Sequence, residues 1–270
     1  MARAPQPREV TIYGTRALEA PSSSRIASAL SIGAGGAPIL WDPADHEVDL
    51  LAPGAGFFAP PIHHVYRKLR ATQVPYYYVD HAYFGRGEYF RITRGAKQHL
   101  GIGPSMPRRL DRFGVKIRGW KRGGRHVLIC PPDDAFARLN GFTERGWTRS
   151  IAHKLGQHTD RELRVRSRLP DGEPRPLQLD LYNCHALVTY VSNAAVEAVL
   201  HGVPVFCVGP CAALTMGRSQ LSQIEEPFYP PGRRLWAEVL ASNQWTLDEM
   251  RSGFAWTWLI DMNQEGETYG

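Results

Sequence analysis

Tyr190-Val191-Ser192-Asn193-Ala194-Ala195-Val196-Glu197-Ala198-Val199-Leu200-His201-Gly202-Val203-Pro204-Val205 is the stretch on which the fold turns. An apolar run, Ala186–Val191, leads into Ser192 and Asn193, two residue types that cap helix starts well. Helical spacing follows over Ala194–His201. Gly202 stands where a helix ends, Pro204 prevents continuation, and Val203–Val208 is apolar again. Strand, helix and strand in that order are the βαβ unit of a parallel sheet. On the helix, Val196, Val199 and Leu200 form a core stripe. Asn193, Glu197 and His201, spaced by four, form an adjacent stripe able to face a cleft. Small alanines after the cap let a ligand come close. The first helical N–H groups and the helix dipole suit an anion. Glu197, one turn on, suits sugar hydroxyls.

The surrounding sequence repeats this alternation. Val127–Cys130 reads as a buried strand, Trp147–Gln157 as a helix, Leu163–Arg166 as a strand and Leu177–Cys184 as a short helix. In the first half, Val10–Tyr13, Pro38–Trp41, Val48–Leu51 and Val74–Val79 read as strands. Arg25–Leu30 and His64–Thr72 read as helices. Leu235–Leu240 and Leu247–Ile260 are helical in pattern. Between Pro107 and Arg125 eight cations face a single acid, Asp111, with Gly119, Gly123 and Gly124 as punctuation; the domain boundary is expected there. The expected architecture is α/β, with two Rossmann-like domains, 1–120 and 121–270, facing a cleft. The C-terminal helices are expected to pack back on the N-terminal domain.

Composition narrows the function classes. Of 270 residues 43% are hydrophobic and 21% charged, which suits globular cores rather than disorder. The net charge of +6 favours acidic partners. Cys130, Cys184, Cys207 and Cys211 lie in or beside apolar runs and form neither a disulfide framework nor a zinc pattern. His63 and His64, being adjacent, do not converge on a metal, and no metal is expected. The N-terminus lacks a signal-type apolar segment, and no apolar run is long enough for a membrane span, so a cytoplasmic protein without membrane contact is expected. Gly33-Ala34-Gly35-Gly36 does not join a first strand to a helix as a dinucleotide fingerprint does, and no Walker-type loop or clustered DxD is present.

The pattern S-N-A-A-V-E-A-V-L-H-G-V-P-V resembles the donor-binding motif of GT-B glycosyltransferases. The resemblance covers roughly residues 125–260. It implies that Ser192, Asn193 and Ala194 meet the donor diphosphate and that Glu197 holds the nucleotide ribose. It needs no cofactor beyond a nucleotide-sugar, a UDP-sugar being the expected donor. Arg164-Val165-Arg166-Ser167-Arg168-Leu169-Pro170 resembles the strand-end basic segment of capsule and Kdo-type transferases, with the proline one place later. Arg166 and Arg168 fall on one side of an extended chain and could clamp phosphates.

For the acceptor, an inverting reaction needs a base. Asp80 at the end of an aromatic strand is the first candidate and His81 the second. Tyr83, Arg86 and Arg91, with Arg118, Lys121 and Arg122 from the basic run, mix aromatic and cationic groups as a nucleic-acid surface does. The compact basic chain resembles phage enzymes that glycosylate hydroxymethylated pyrimidines in duplex DNA, which implies a modified-DNA acceptor reached by base flipping. A glycan or lipid-linked acceptor, as for capsule transferases, is the alternative; a sugar-nucleotide epimerase is a third reading. A monomer is expected.

Overall fold

The computed structural model describes residues 10–16, 21–43, 55–58, 65, 67–68, 71, 76–167 and 175–259. The expected strand at Val48–Leu51 and the residues His63, His64 and Arg168 lie outside them. The chain divides into two compact units, residues 1–97 with 242–270, and residues 98–241.

The first unit is built on a six-stranded sheet. Its strands are β1 (Val10–Gly14), β2 (Ile39–Trp41), β3 (Ala55–Phe58), β4 (Tyr76–His81) and β5 (Tyr89–Arg94). The returning C-terminal segment adds β10 (Gln244–Thr246). The order is β10-β5-β4-β3-β1-β2. β1 to β4 are parallel, while β5 runs antiparallel to β4 and β10 antiparallel to β5. Helix α1 (Pro21–Gly33) packs against α7 (Leu247–Arg251). A glycine is required at their crossing, because a Cβ on Gly33 would lie 1.9 Å from the Met250 carbonyl oxygen. The expected continuous helix Leu247–Ile260 is broken at Gly253, whose φ of 78° is left-handed; helical structure resumes over 254–259.

The second unit holds a four-stranded, wholly parallel sheet of β6 (His126–Cys130), β7 (Glu162–Val165), β8 (Cys184–Thr189) and β9 (Val205–Cys207), in the order β7-β6-β8-β9. β6, β8 and β9 are buried at every position, as continuous apolar runs in a parallel sheet should be; the edge strand β7 is largely exposed. Helix α2 (Asp134–Leu139) starts on an Asp133 cap that accepts from the Phe136 N–H at 2.8 Å. Helix α3 (Glu144–Leu155) starts on Thr143, which accepts from the Gly146 N–H at 3.0 Å. α3 buries Trp147, Ile151 and Leu155, one per turn, in a cluster with Val127, Ile129, Val188 and Phe206. Each such side chain stabilises by about 1.5–3 kcal/mol. Helix α4 (Leu177–Asp180) is shorter than the expected Leu177–Cys184, because Asn183 takes a left-handed φ of 55° that turns the chain into β8. Helices α5 (Asn193–Leu200) and α6 (Arg233–Ser242) complete the unit.

The units part after Lys97, not near residue 120. The basic run therefore belongs wholly to the second unit. Its Arg109 and Leu110 are buried, and Arg109 Nε donates to the Ala241 carbonyl at 3.0 Å.

Candidate nucleotide-sugar site

The strand order of the second unit fixes where a ligand can enter. From β6 the chain goes to β7 on one side, then crosses to β8 on the other. The loops leaving the carboxyl ends of β6 and β8 therefore diverge, and the crevice between them is the binding place of an open parallel sheet. One wall is Pro131–Asp133 and the other is Tyr190–Asn193. Tyr190 is fixed by Phe142 and Phe136, with ring centroids at 5.2 and 6.2 Å. The loop after β9 seats against it so closely that a Cβ on Gly209 would come 2.8 Å from the Tyr190 carbonyl oxygen.

Ser192 is the N-cap of α5, its hydroxyl accepting from the Ala194 N–H at 3.2 Å. The hydroxyl thus satisfies one of the free N–H groups at the helix start. The Asn193 carboxamide is held from outside the motif. Gln98 Nε2 donates to Asn193 Oδ1 at 2.9 Å, and Gln98 Oε1 accepts from the Ala212 N–H at 2.8 Å. Gln98 is 2% exposed, so this amide is a buried clamp joining the start of α5 to the loop after β9. Sequence reasoning missed it, because Gln98 lies in a stretch with no periodicity and its partners are about a hundred residues away. The neighbouring His99 is also largely enclosed, and burial holds its imidazole down to about 4. His99 Nδ1 accepts from the Gly101 N–H at 3.0 Å, so the neutral ring carries its proton on Nε2.

Glu197 is half-buried one turn into α5. Its carboxylate and the Arg166 guanidinium both act on Cys130 at the carboxyl end of β6. Burial drives that thiol up to about 12, Arg166 opposes the shift, and Cys184, Asp180 and Glu197 add to it. Arg166 is itself engaged. It forms an ion pair with Asp180 and donates to the Arg175 carbonyl, while Arg175 reaches the same Asp180 at 3.0 Å. A phosphate would have to compete with Asp180 for this guanidinium.

Arg118, Lys121 and Arg122 are not brought to this end of the unit. The Arg118 N–H donates to the Leu200 carbonyl at 2.8 Å and the Lys121 N–H to the Gly202 carbonyl at 2.7 Å. Both sit at the C-terminus of α5, about 12 Å of helix away from Ser192. His201 lies with them, its pKa lowered first by burial and then by Arg118 and Lys121.

In the first unit, Asp80 and Arg91 face one another across β4 and β5. Arg91 Nη2 donates to Asp80 Oδ2 at 2.6 Å, and the Arg91 side chain is 3% exposed. Burial pushes the Asp80 carboxyl upward, but Arg91, Lys97 and the His81 backbone N–H outweigh it and leave the pKa lowered. Tyr83 is buried beneath the Arg91 guanidinium, 5.0 Å from its ring centroid. Of the expected acceptor residues here, Tyr83 and Arg91 are thus interior and mutually packed, whereas Arg86 and His81 are exposed. The carboxyl ends of β1 and β2 carry a group that sequence reasoning passed over. Asp42, at a left-handed φ of 47°, accepts from the Thr15 hydroxyl and from the Arg16 N–H.

No protein-family model and no curated protein matches the sequence. Solved structures do match. The β Kdo 2,7 transferase of KpsC from Thermosulfurimonas dismutans aligns with a TM-score of 0.52 at 10% identity, over 93% of this chain and 99% of that one. The chain shares that transferase's fold. The β Kdo 2,4 transferase of the same organism's KpsC aligns with a TM-score of 0.46 at 12% identity, over 87% and 92% of the two chains. Among the described residues, no helix is long and apolar enough to cross a membrane, and no group of three His, Cys, Asp or Glu side chains could hold a metal ion.

Proposed function

We propose that this chain is a glycosyltransferase that moves a sugar from a nucleotide-sugar to a hydroxyl. The observation that carries the reading is the switch-point crevice, with Ser192 and Asn193 opening α5 on one wall and Glu197 one turn inside. The shared fold with a solved Kdo transferase supports it. In this reading the N-terminus of α5 receives the donor diphosphate, Glu197 accepts hydrogen bonds from the ribose, and Gln98 holds Asn193 in register for both. Arg166, and Arg168 beyond the described residues, supply positive charge once Arg166 leaves Asp180. The first unit offers a base suited to an inverting displacement. Asp80, held low by Arg91, is a weak proton acceptor, so the exposed His81 beside it takes the base role and Asp80 orients the strand end.

The acceptor hydroxyl in this proposal belongs to a glycan, a choice supported by the fold shared with a solved β Kdo 2,7 transferase. A second reading, the hydroxymethyl group of a modified pyrimidine in DNA, is favoured by the net charge of +6. The test is one assay with two acceptors. Labelled nucleotide-sugars, UDP-sugars included, are offered with a Kdo-terminated oligosaccharide and with duplex DNA containing 5-hydroxymethylcytosine or 5-hydroxymethyluracil, and products are read by mass. A gain on the oligosaccharide supports the first reading and a gain on the modified nucleoside the second. Hydrolysis-only or epimerised products from bound donor would overturn transfer.

A further inference from the structure

The amino-terminal edge of the second unit's sheet carries a surface that the donor site does not use. Two loops meet there. The Lys121 ammonium reaches the Leu181 carbonyl at 3.5 Å, and the Arg125 N–H donates to the Asn183 carbonyl at 2.8 Å. Gly124 lets the loops close, since a Cβ there would fall 2.3 Å from the His185 backbone nitrogen. Between these two attachment points stands Tyr182, 78% exposed. Among the described residues, neither its ring nor its hydroxyl has a partner, and the Lys116, Arg118 and Arg125 side chains likewise have no hydrogen-bond or ion-pair partner.

The ordinary use for cations at this position is already filled. At the C-terminus of α5, the carbonyls of Leu200 and Gly202 accept from backbone N–H groups, and the Val199 carbonyl accepts from Arg233 Nη1 at 2.9 Å. The neighbouring cations are also rigidly presented. Arg233 lies 4.1 Å over the Trp120 ring, Trp120 meets Tyr229 edge-on at 5.7 Å, and Arg122 covers Tyr229 at 4.5 Å. No acid occurs from Arg112 through Pro132. A solvent-exposed tyrosine with no partner, set among unpaired cations on a braced surface, combines a stacking face with phosphate neutralisation.

We propose that this edge, centred on Tyr182 with Lys116, Arg118, Lys121, Arg122 and Arg125, binds single-stranded nucleic acid, a base stacking on Tyr182 and the cations following the phosphates. It lies roughly 20 Å, the length of the six-residue β8, from the carboxyl edge that holds the donor crevice. It is a separate docking face and does not depend on the transferase reading.

The experiment is fluorescence anisotropy of the full chain with a labelled 20-nucleotide single-stranded DNA between 50 and 200 mM salt. Tyr182→Ala should weaken binding about 5- to 150-fold, the range expected for loss of one base stack. Lys116→Ala with Arg125→Ala should lower the slope of log affinity against log salt by about 1.4. Both variants should keep the wild-type melting curve, because the altered side chains have no hydrogen-bond or ion-pair partner among the described residues to lose. Binding that is unchanged in Tyr182→Ala, or absent at 50 mM salt, overturns the proposal. So does heparin binding as tight as DNA binding and equally indifferent to Tyr182, which would reduce the face to bulk charge. Nucleotide-sugar binding is measured on the same samples, so failure of either site is distinguishable from failure of the other.

Discussion

Replacing Gln98 with leucine removes the buried clamp at nearly constant volume. Two hydrogen bonds are lost, the 2.9 Å bond to Asn193 Oδ1 and the 2.8 Å bond from the Ala212 N–H. They differ in cost. Ala212 is fully buried, so its N–H is left without water, a penalty of about 1–3 kcal/mol. Asn193 is half-buried and can turn to solvent, so that loss is nearer the net worth of one bond, about 0.5–1.5 kcal/mol. Together these give a destabilisation of about 1.5–4.5 kcal/mol. At about 2–4 °C per kcal/mol for a chain of this size, the melting temperature should fall by roughly 3–18 °C. Asn193 also loses its Gln98 contact at the helix start where the donor phosphate is expected, so nucleotide-sugar affinity should weaken as well. The assays are calorimetric melting and titration of the best nucleotide-sugar at a temperature where the variant is folded. A melting shift below 1 °C would refute the energetic argument. A full shift with unaltered donor affinity would refute the positioning argument while leaving the packing argument standing.

Three further outcomes are expected. Asp80→Asn strands the buried Arg91 without its counter-charge and should cost about 3–5 kcal/mol, read by denaturant unfolding. Because the folded Asp80 pKa is lowered, the wild-type contribution is present above the ordinary carboxylate pKa near 4 and is lost as pH falls through the lower folded value; the asparagine variant should lack this acid-side loss. His99 stays neutral in the fold down to about 4, whereas an unfolded histidine takes up its proton near 6.5, so stability should decline by up to about 1.4 kcal/mol per pH unit as pH falls between those values. That slope should vanish in His99→Leu, and an unchanged slope would show the ring to be accessible. Gly33→Ala should destabilise by about 1–3 kcal/mol, since its Cβ meets backbone rather than a movable side chain, and melting of the full chain reads it.

The second unit was legible where one physical signal acted alone. Continuous apolar runs marked β6, β8 and β9, and a cap, helical spacing and a terminal glycine bounded α5 to within a residue. The first unit's outer strands were harder. β5 carries Arg91 in its middle, a residue that local pattern assigns to solvent and that only pairing with Asp80 across the sheet brings inside. β10 is three residues long and exists because Phe90 offers a partner to Trp245 more than 150 residues later. The basic run showed its charge but not its address. Arg118, Lys121 and Arg122 join the C-terminal end of the helix whose N-terminal end forms the candidate donor site, and that separation comes from backbone hydrogen bonds to Leu200 and Gly202. Gln98 gave no signal, since a polar residue in an aperiodic stretch looks the same in sequence whether it faces water or closes a buried clamp.

The most direct test of the account is nucleotide-sugar binding by the purified full chain, wild type beside Glu197→Ala, titrated calorimetrically with uridine-, cytidine- and guanosine-based sugar donors. The account predicts that one donor class binds the wild type, and that loss of the carboxylate weakens it at least tenfold while the protein stays folded. A folded wild-type protein that binds none of them, or binding that Glu197→Ala leaves unchanged, would contradict it.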